Sequence, residues 1–232
     1  MVDKCWAIIP ARGGSSGVKG KNIKVLGDKP LIGHAITALQ EANVFEKVLV
    51  TSDSKEILNV AEDFGAEVYL RLNPDESNSV VMPDVPVVSY LHSVPEILRP
   101  KFCMMVQCTA PFVTSESYRR AYNELVNKEH ATIFAAHEAH SFLWQRECED
   151  NLDSKWLPIN HAFFERVGRQ FSKVQQVNET GAFYGFSVNA FLASGHRFFS
   201  EAFPVIIEGD ELIDINEVDD WEFAQFKFSK KR

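Results

Sequence analysis

The chain has 232 residues, of which 45% are hydrophobic and 24% charged, a composition typical of a globular protein with one sizeable core. Its 24 basic and 32 acidic residues give a formal net charge of −8, which argues against a general nucleic-acid surface. No stretch reaches the roughly 18 apolar residues of a membrane span, and residues 1–9 lack the long apolar core of a secretion signal. We therefore expect a cytoplasmic protein with neither nucleic acid nor membrane as its partner.

Short apolar runs and helical periodicities alternate along the first 136 residues. The apolar runs predict strands at 6–9, 47–53, 66–71, 102–108 and 131–136. The periodic stretches predict helices at about 31–39, 54–64, 84–97 and from Thr114 or Ser115 to about Lys128. Asp53, with Glu56 three residues on, resembles a capping box that would start the second helix. This alternation predicts an α/β fold with a doubly wound, mostly parallel sheet.

The alternation breaks over residues 137–180, where aromatic and charged residues mix in short runs. The pattern then resumes with a strand at 181–188, a helix near 189–195, a strand at 203–208 and a last helix from about 217. We interpret residues 1–232 as one domain that carries an insertion at 137–180. The aromatic residues give this insertion apolar surface away from the sheet, so it serves either as a lid or as an arm for a partner subunit.

A glycine-rich loop follows the first strand, where residues 8–22 read IIPARGGSSGVKGKN. Its glycines do not fit the G-x-G-x-x-G spacing of a dinucleotide-binding turn, and no G-K-[ST] follows as in a Walker loop. The bare backbone amides of such a loop can approach a phosphate chain closely, and Arg12 and Lys21 flank them with positive charge. A guanidinium fork and an ammonium point charge together suit a polyphosphate. The loop therefore predicts a nucleotide or phosphate site on an otherwise acidic chain.

The stretch IIPARGGSSGVKGKNIKVLGDKPLIGHAI resembles the opening of the CMP-sialic acid synthetases, the cytidylyltransferases that activate nonulosonic acids. Further matches follow in the same order over essentially the whole chain, at VTSDSKEILNVAEDFGAEV, QCTAPF, RQ (169–170), GAFY (181–184) and IDINEVDDW. The resemblance implies a nucleotide-sugar transferase fold of the GT-A type. It also implies an enzyme that joins CTP to a nine-carbon sugar acid, giving a CMP-sugar and pyrophosphate. The family further implies a homodimer whose insertion reaches the neighbouring active site.

The resemblance assigns the nucleotide mainly to the N-terminal part of the chain. Arg12 and Lys21 would hold the triphosphate during catalysis. Further nucleotide contacts would come from loop amides and nearby side chains, at Gly13, Gly14, Ser15, Asn22, Arg71 and Ser79. For Asn22 the alternative is local backbone bonding at a turn, which asparagine often makes. For Arg71 the alternative is an exposed charge at the end of a strand.

The same resemblance assigns the sugar acid to Gln107, Arg169, Phe183 and Tyr184. Gln107 ends a predicted strand, and ligands of open parallel sheets bind at the carboxyl ends of strands. An arginine at position 169 suits the sugar carboxylate, because the two groups can form paired charge-assisted hydrogen bonds. The alternatives are an ordinary polar residue at a strand end for Gln107, and a place in the core for the two aromatic residues.

A magnesium ion would bind Asp214, with Asn216 as a second ligand, since Mg²⁺ prefers carboxylate and phosphate oxygens. Asn216 stands where the family has a second acid, and with Asp219 three residues on it also fits a helix N-cap. Ser16 stands where the family commonly has lysine. These departures leave open a non-catalytic nucleotide-sugar-binding relic, beside a cytidylyltransferase for Kdo or another sugar acid. The general base, the number of metal ions and the particular nonulosonic acid are not determined by the sequence.

Overall fold

The computed structural model describes residues 4–14, 17–77, 81–148, 150–151, 153–164 and 176–230. The strands of this part are β1 (Cys5–Pro10), β2 (Val25–Leu26), β3 (Lys29–Pro30), β4 (Lys47–Ser52), β5 (Glu67–Leu70), β6 (Phe102–Val106), β7 (Thr132–Ala139), β8 (Trp144–Arg146), β9 (Trp156–Pro158), β10 (Gln176–Ser187) and β11 (Ala202–Ile206). The α-helices are α1 (Leu31–Ala42), α2 (Lys55–Asp63), α3 (Asp84–Ser93), α4 (Ser115–Asn127), α5 (Val188–Ser194) and α6 (Val218–Ser229). Within these residues, every helix is too short or too polar to cross a membrane.

Seven strands form one sheet in the order β11–β7–β10–β6–β1–β4–β5. β1 is parallel to both β4 and β6, β4 is parallel to β5, and β7 is parallel to β11. β10 runs antiparallel to β6, with Phe183 opposite Val106. The predicted α/β fold with a mostly parallel sheet is therefore confirmed, and β10 is the strand that enters in the reverse direction.

The two central strands are buried on both faces. All five residues of β6 are fully buried, as expected for a strand covered by helices on each side. Along β1, Ala7 and Ile9 pack on the face that carries α1, α2 and α4. Trp6 and Ile8 pack on the opposite face, with α3 and α5. Each face of the sheet thus has its own core, which is the doubly wound arrangement.

A third apolar cluster joins the glycine loop to the C-terminal part of the chain. Val18 of the loop is almost completely buried in it, as are Ile215, which precedes α6, and Trp221 of α6. Leu26 and Leu31 complete the cluster. Burial of a side chain of this size stabilises a fold by about 1.5–3 kcal/mol. The cluster therefore holds the segment before α6 beside the loop that follows β1.

Two predicted helix starts are wrong by one residue. α2 is capped by Ser54, whose hydroxyl oxygen accepts a backbone N–H of the first turn, so Asp53 is not the cap. α6 begins with a capping box between Glu217 and Asp220, so Asn216 lies before the cap. In each case the following polar residue satisfies the free N–H groups of the helix. Asp53 and Asn216 are thereby left for other contacts.

Residues His137–Asn178 form a compact unit, separate from the unit of Met1–Ala136 and Glu179–Arg232. Within it, β8 and β9 pair as an antiparallel ribbon. The rings of Trp144 and His161 meet edge to face at 5.0 Å between centroids. Several large apolar side chains of this unit are exposed, among them Phe164 at 93%. That this segment acts as a lid or a subunit arm stays a prediction.

Candidate active site

A cavity of about 360 Å³ opens at the carboxyl ends of β1, β5 and β6. Because β1 lies between β4 on one side and β6 on the other, the cavity occupies the point where the strand order changes direction, the usual ligand position in open α/β sheets. Its walls come from separate stretches of the chain, at Pro10, Arg12, Lys21, Asn22, Arg71, Glu76, Ser77, Val81, Met82, Pro83, Pro86, Gln107, Cys108, Thr109, Asn216 and Glu217. Six residues that the sequence proposed for the site therefore lie around one cavity.

Close contacts join the glycine loop to the segment before α6. The Lys21 ammonium donates a hydrogen bond to the Ile215 carbonyl at 2.6 Å. The Ile215 N–H in turn donates to the Thr109 carbonyl at 2.8 Å. Gly17 approaches so closely that a Cβ at this position would lie 2.1 Å from the Asn216 carbonyl oxygen. Only a residue without a side chain fits there, so Gly17 allows the glycine loop to approach the segment before α6 this closely.

The two cations of the loop differ in how they are paired. Within the described part of the chain, the Arg12 guanidinium forms neither a hydrogen bond nor an ion pair, although it lines the cavity. The pKa of Lys21 is lowered, chiefly because burial disfavours its charged form, and the nearby Arg12 cation adds to this shift. The neighbouring Cys108, Asp214 and Glu217 act in the opposite direction. An anion bound between the two cations would therefore be stabilised by both.

Arg71 is buried beneath the cavity, with 3% of its side chain exposed. Its Nη2 donates to the Ala11 carbonyl at 2.9 Å and its Nη1 to the Glu76 carbonyl at 3.2 Å. Arg71 Nε and the Ser77 hydroxyl are buried, and neither has a hydrogen-bond partner among the residues described. An unpaired buried polar group costs about 1–3 kcal/mol, so a ligand with suitable acceptors would be favoured here. Sequence reasoning missed Ser77, because nothing distinguishes it within a loop of turn-forming residues.

The backbone amides of the glycine loop are not all available to a phosphate. The Gly13 N–H donates to Asp53 Oδ1 at 2.8 Å, so in this conformation the amide has a partner within the protein, and its predicted phosphate contact stays a prediction. Gly14 is exposed, and no described atom lies within 4 Å of the position that a Cβ would take. Ser15, like Ser79 and Arg169, lies outside the described residues, and so its predicted contact stays a prediction.

Asn22 holds the loop from below. Its Nδ2 donates to the Arg12 carbonyl at 2.9 Å, and its Oδ1 accepts a hydrogen bond from the Cys108 thiol at 3.4 Å. Burial raises the pKa of this thiol to about 12, so it remains a neutral donor. Asn22 lines the cavity, but both of its polar atoms already have partners in the protein. The geometry therefore favours the alternative of local backbone bonding, with Asn22 supporting Arg12.

The residues predicted to contact the sugar do not all face the same space. Gln107 lines the cavity, and its backbone N–H donates to the Ala182 carbonyl at 2.9 Å. Gly181 has a φ of +78°, and a Cβ there would lie 3.9 Å from Gln107 Nε2 and 4.0 Å from Tyr184 Oη. The Gln107 amide and the Tyr184 hydroxyl therefore both lie next to Gly181. The Tyr184 hydroxyl donates to the Glu179 carboxylate.

Phe183 does not wall a sugar pocket, which corrects the prediction from the sequence. Its side chain is fully buried and packs against Tyr118 at 5.6 Å between ring centroids. Neighbouring residues of a strand point to opposite faces of the sheet. Phe183 therefore enters the core beside α4, whereas Tyr184 enters the other core, where the Arg197 guanidinium lies 4.3 Å over its ring.

Asp214 has the properties of a single metal ligand. Its Oδ1 is buried, and no described group donates to it, while its Oδ2 accepts from Asn216 Nδ2 at 2.7 Å. A buried carboxylate oxygen without a donor fits a hard cation that is otherwise held by substrate phosphates. No group of three or more His, Cys, Asp or Glu side chains in the described ranges could hold a metal by itself. Asn216 turns its amide nitrogen to Asp214, so in this conformation it supports that carboxylate instead of acting as a second ligand.

Around a cavity at the switch point of the sheet, the geometry combines the cations Arg12 and Lys21 with the buried donors Arg71 Nε and Ser77 Oγ, which have no partner among the described residues. Asp214 is not part of the cavity wall; it lies one residue before Ile215, whose carbonyl accepts from Lys21. The family model described as Cytidylyltransferase matches residues 6–183, which include most of the cavity wall. The chain belongs to the cytidylyltransferase family. This confirms the family expected from the glycine loop and the motifs that follow it.

The cytidylyltransferase matches curated relatives over nearly its whole length. It is 27% identical over 229 residues to the pseudaminic acid cytidylyltransferase of Campylobacter jejuni, covering 97% of this chain and 96% of that protein. It is 30% identical over 226 residues to N-acylneuraminate cytidylyltransferase A of Danio rerio, covering 94% of this chain but 49% of that protein. The chain therefore spans about half the length of the second relative.

Solved structures share the fold of this cytidylyltransferase. CMP:2-keto-3-deoxy-manno-octonic acid synthetase complexed with CTP superimposes with a TM-score of 0.71 at 15% identity, over 99% of this chain and 100% of that one. The 4-diphosphocytidyl-2C-methyl-D-erythritol synthase of Anaerococcus prevotii gives a TM-score of 0.68 at 12% identity, again over 99% and 100% of the two chains. At such identities the likeness shows the fold alone.

Replacement of Gly17 by alanine is expected to lower the free energy of unfolding by about 1–3 kcal/mol, because the new Cβ overlaps the backbone of Asn216. Gly14→Ala is the matched control, since no described atom surrounds that position, and it should change stability by less than about 0.5 kcal/mol. Urea denaturation followed by circular dichroism measures both. Equal effects of the two variants would contradict the close contact between the loop and the segment before α6.

The lowered pKa of Lys21 predicts that affinity for CTP falls as the pH rises between about 7 and about 10. Lys21 loses its proton at a lower pH than an ordinary lysine, and with it the positive charge that binds the triphosphate. Calorimetric titration with CTP across this range measures the effect. A Lys21→Arg variant keeps its charge and should bind with an affinity that does not depend on pH, while a flat profile for the unmodified protein would exclude Lys21 as the cation.

Proposed function

We propose that this cytidylyltransferase is a CMP-nonulosonic acid synthetase. It joins CTP to a nine-carbon sugar acid of the sialic or pseudaminic type and releases pyrophosphate. The observation that carries the proposal is the Arg12 guanidinium, which lines the same cavity as Lys21. It has no partner among the described residues, and neither do the buried donors Arg71 Nε and Ser77 Oγ. A nucleoside triphosphate requires one region that binds its polyphosphate and a second region whose donors bind the acceptor atoms of its nucleobase. The names of full-length relatives support the sugar class.

In the reaction, the anomeric hydroxyl of the sugar acid attacks the α-phosphorus of CTP. A new phosphorus–oxygen bond forms, the bond to the β-phosphate oxygen breaks, and pyrophosphate leaves. Arg12 and Lys21 offset the negative charge that builds up on the phosphate oxygens. Such a reaction needs little covalent work from the protein, so catalysis rests on holding the two substrates in line. Gln107, in the cavity wall, would hold the sugar acid.

Magnesium is the proposed cofactor, and Asp214 would hold it. When bound, the ion would supply positive charge that offsets the negative charge of the CTP phosphates. Asn216 orients the Asp214 carboxylate through the hydrogen bond to Oδ2 and leaves Oδ1 for the metal. One carboxylate with substrate phosphates is sufficient for this kind of site.

The deciding experiment is pyrophosphate release from CTP and magnesium with a panel of sugar acids. We expect release with at least one nonulosonic acid, and a loss of about 100-fold or more in kcat for Asp214→Ala, because a metal contributes several kcal/mol to the transition state. Asp219→Ala is the control, since Asp219 is an exposed acid on α6 close to Asp214 in sequence. Calorimetric binding of CTP without turnover on any sugar acid, and without dependence on magnesium, would instead identify a nucleotide-binding relic.

A homodimer is the proposed assembly, with the unit of His137–Asn178 in the interface. The exposed aromatic surface of that unit, which includes Trp144, Trp156, Phe163 and Phe164, supports this because large apolar patches seldom face solvent. We expect light scattering after gel filtration to give about twice the chain mass of 26.3 kDa. Phe164→Ser should shift the population towards the single chain. A single chain at all concentrations tested would refute the dimer.

A further inference from the structure

The peptide group that joins Arg12 to Gly13 is held at both of its polar atoms. The carbonyl oxygen of Arg12 accepts from Asn22 Nδ2 at 2.9 Å. The N–H of Gly13 donates to Asp53 Oδ1 at 2.8 Å. A peptide plane fixed at its oxygen and at its nitrogen cannot rotate without breaking one of the two hydrogen bonds. The direction in which the Arg12 side chain leaves the loop is therefore determined by Asn22 and Asp53.

Asp53 also acts on the buried cation beneath the loop. The same Oδ1 atom lies 3.5 Å from Arg71 Nη2, and this nitrogen donates to the carbonyl of Ala11, the residue before Arg12. The other groups that compensate Arg71 are two backbone carbonyls, which carry only partial charge, and the more distant carboxylate of Glu76. Asp53 therefore contacts both the loop that carries Arg12 and the side chain of Arg71, the two arginines that line the cavity.

The place of Asp53 in the chain explains why it is free to do this. It follows β4 directly, and because Ser54 caps α2, the Asp53 carboxylate is not used at the helix start. The loop comes so close that a Cβ on Gly13 would lie 3.1 Å from Ser54 Cβ. The Asp53 side chain is 33% exposed, so the carboxylate reaches the loop from the rim of the site.

We propose that Asp53 is a positioning residue for the nucleotide, which acts by fixing Arg12 towards the triphosphate and by compensating Arg71. The inference rests on the proposed function, because it concerns how the same site binds CTP. The expected change in affinity for CTP is opposite to the one that simple charge repulsion predicts. A carboxylate near an anion site repels the anion, so by Coulomb's law alone its removal would tighten binding. Positioning requires the reverse result.

The test compares Asp53→Asn and Asp53→Ala with the unmodified protein. Alanine removes both the acceptor and the charge, and we expect it to raise the Kd and the KM for CTP about tenfold or more. Asparagine keeps an acceptor for the Gly13 N–H but loses the charge beside Arg71, so its effect should be smaller. The KM for the sugar acid should stay within about twofold, because the Arg12 loop does not bind the sugar. Calorimetry gives the Kd, and pyrophosphate release gives both KM values.

A double-mutant cycle separates positioning from a general loss of structure. If Asp53 acts in part through Arg12, then Asp53→Ala should raise the Kd for CTP by a clearly smaller factor when Arg12 is already alanine, where only the effect on Arg71 remains. A merely structural role would give the same loss in both backgrounds. Asp63→Asn, an exposed acid at the end of α2, is the matched control and should leave the Kd and the melting temperature unchanged. If Asp53→Ala does not fold, the same cycle with Asp53→Asn provides the comparison.

The outcomes distinguish this inference from the proposed function. Unchanged or tighter binding of CTP by the Asp53 variants overturns the inference while the function stands, and tighter binding would show that Asp53 competes with phosphate for the Gly13 amide. Equal losses in the two Arg12 backgrounds also overturn it. If the unmodified protein binds no CTP, both the function and the positioning role are wrong. Weaker binding that depends on Arg12, with sugar KM unchanged, supports both.

Discussion

The close contact between the glycine loop and the segment before α6 is the constraint on which the site depends. Gly17 rests against the Asn216 backbone, and Lys21 donates to the Ile215 carbonyl, across 194 positions of sequence. Apolar burial around Val18 supplies the stabilising free energy, and the missing side chain at position 17 supplies the space. Since the loop carries Arg12 and Lys21 and the C-terminal segment carries Asp214, this contact sets the separation between the two cations and that carboxylate.

The cavity concentrates positive charge within a chain whose net charge is −8. The protein compensates its cations unequally. Arg71 is compensated by two backbone carbonyls and by Asp53, Lys21 donates to one carbonyl, and Arg12 has no partner among the residues described. Incompletely compensated cations give the cavity a positive electrostatic potential. This potential attracts and orients an anionic ligand before any specific contact forms.

At the starts of α2 and α6, the residue that caps the helix is the neighbour of the residue predicted from the sequence. Asp53 and Ser54 both suit a helix N-cap, and Asn216 suits one better than its neighbour Glu217 does. In each pair the second residue caps the helix, because the first has a partner elsewhere: the Gly13 N–H for Asp53, and the Asp214 carboxylate for Asn216. Similarly, Phe183 and Tyr184 could both be assigned to a pocket until the register of β10 against β6 placed them in opposite cores.

Local pattern was sufficient for the α/β fold, for the order and type of most elements, and for the glycine loop with its flanking Arg12 and Lys21. These features depend on periodicity and on residue types within a short window, which the chain displays without being folded. Tertiary structure alone decided that the Gly13 amide donates to Asp53. It also decided that, within the part of the chain that the structure describes, Arg71 Nε, Ser77 Oγ and Asp214 Oδ1 are buried without hydrogen-bond partners. Each of these depends on which groups distant in sequence meet, and a buried polar group takes the partner that packing brings to it.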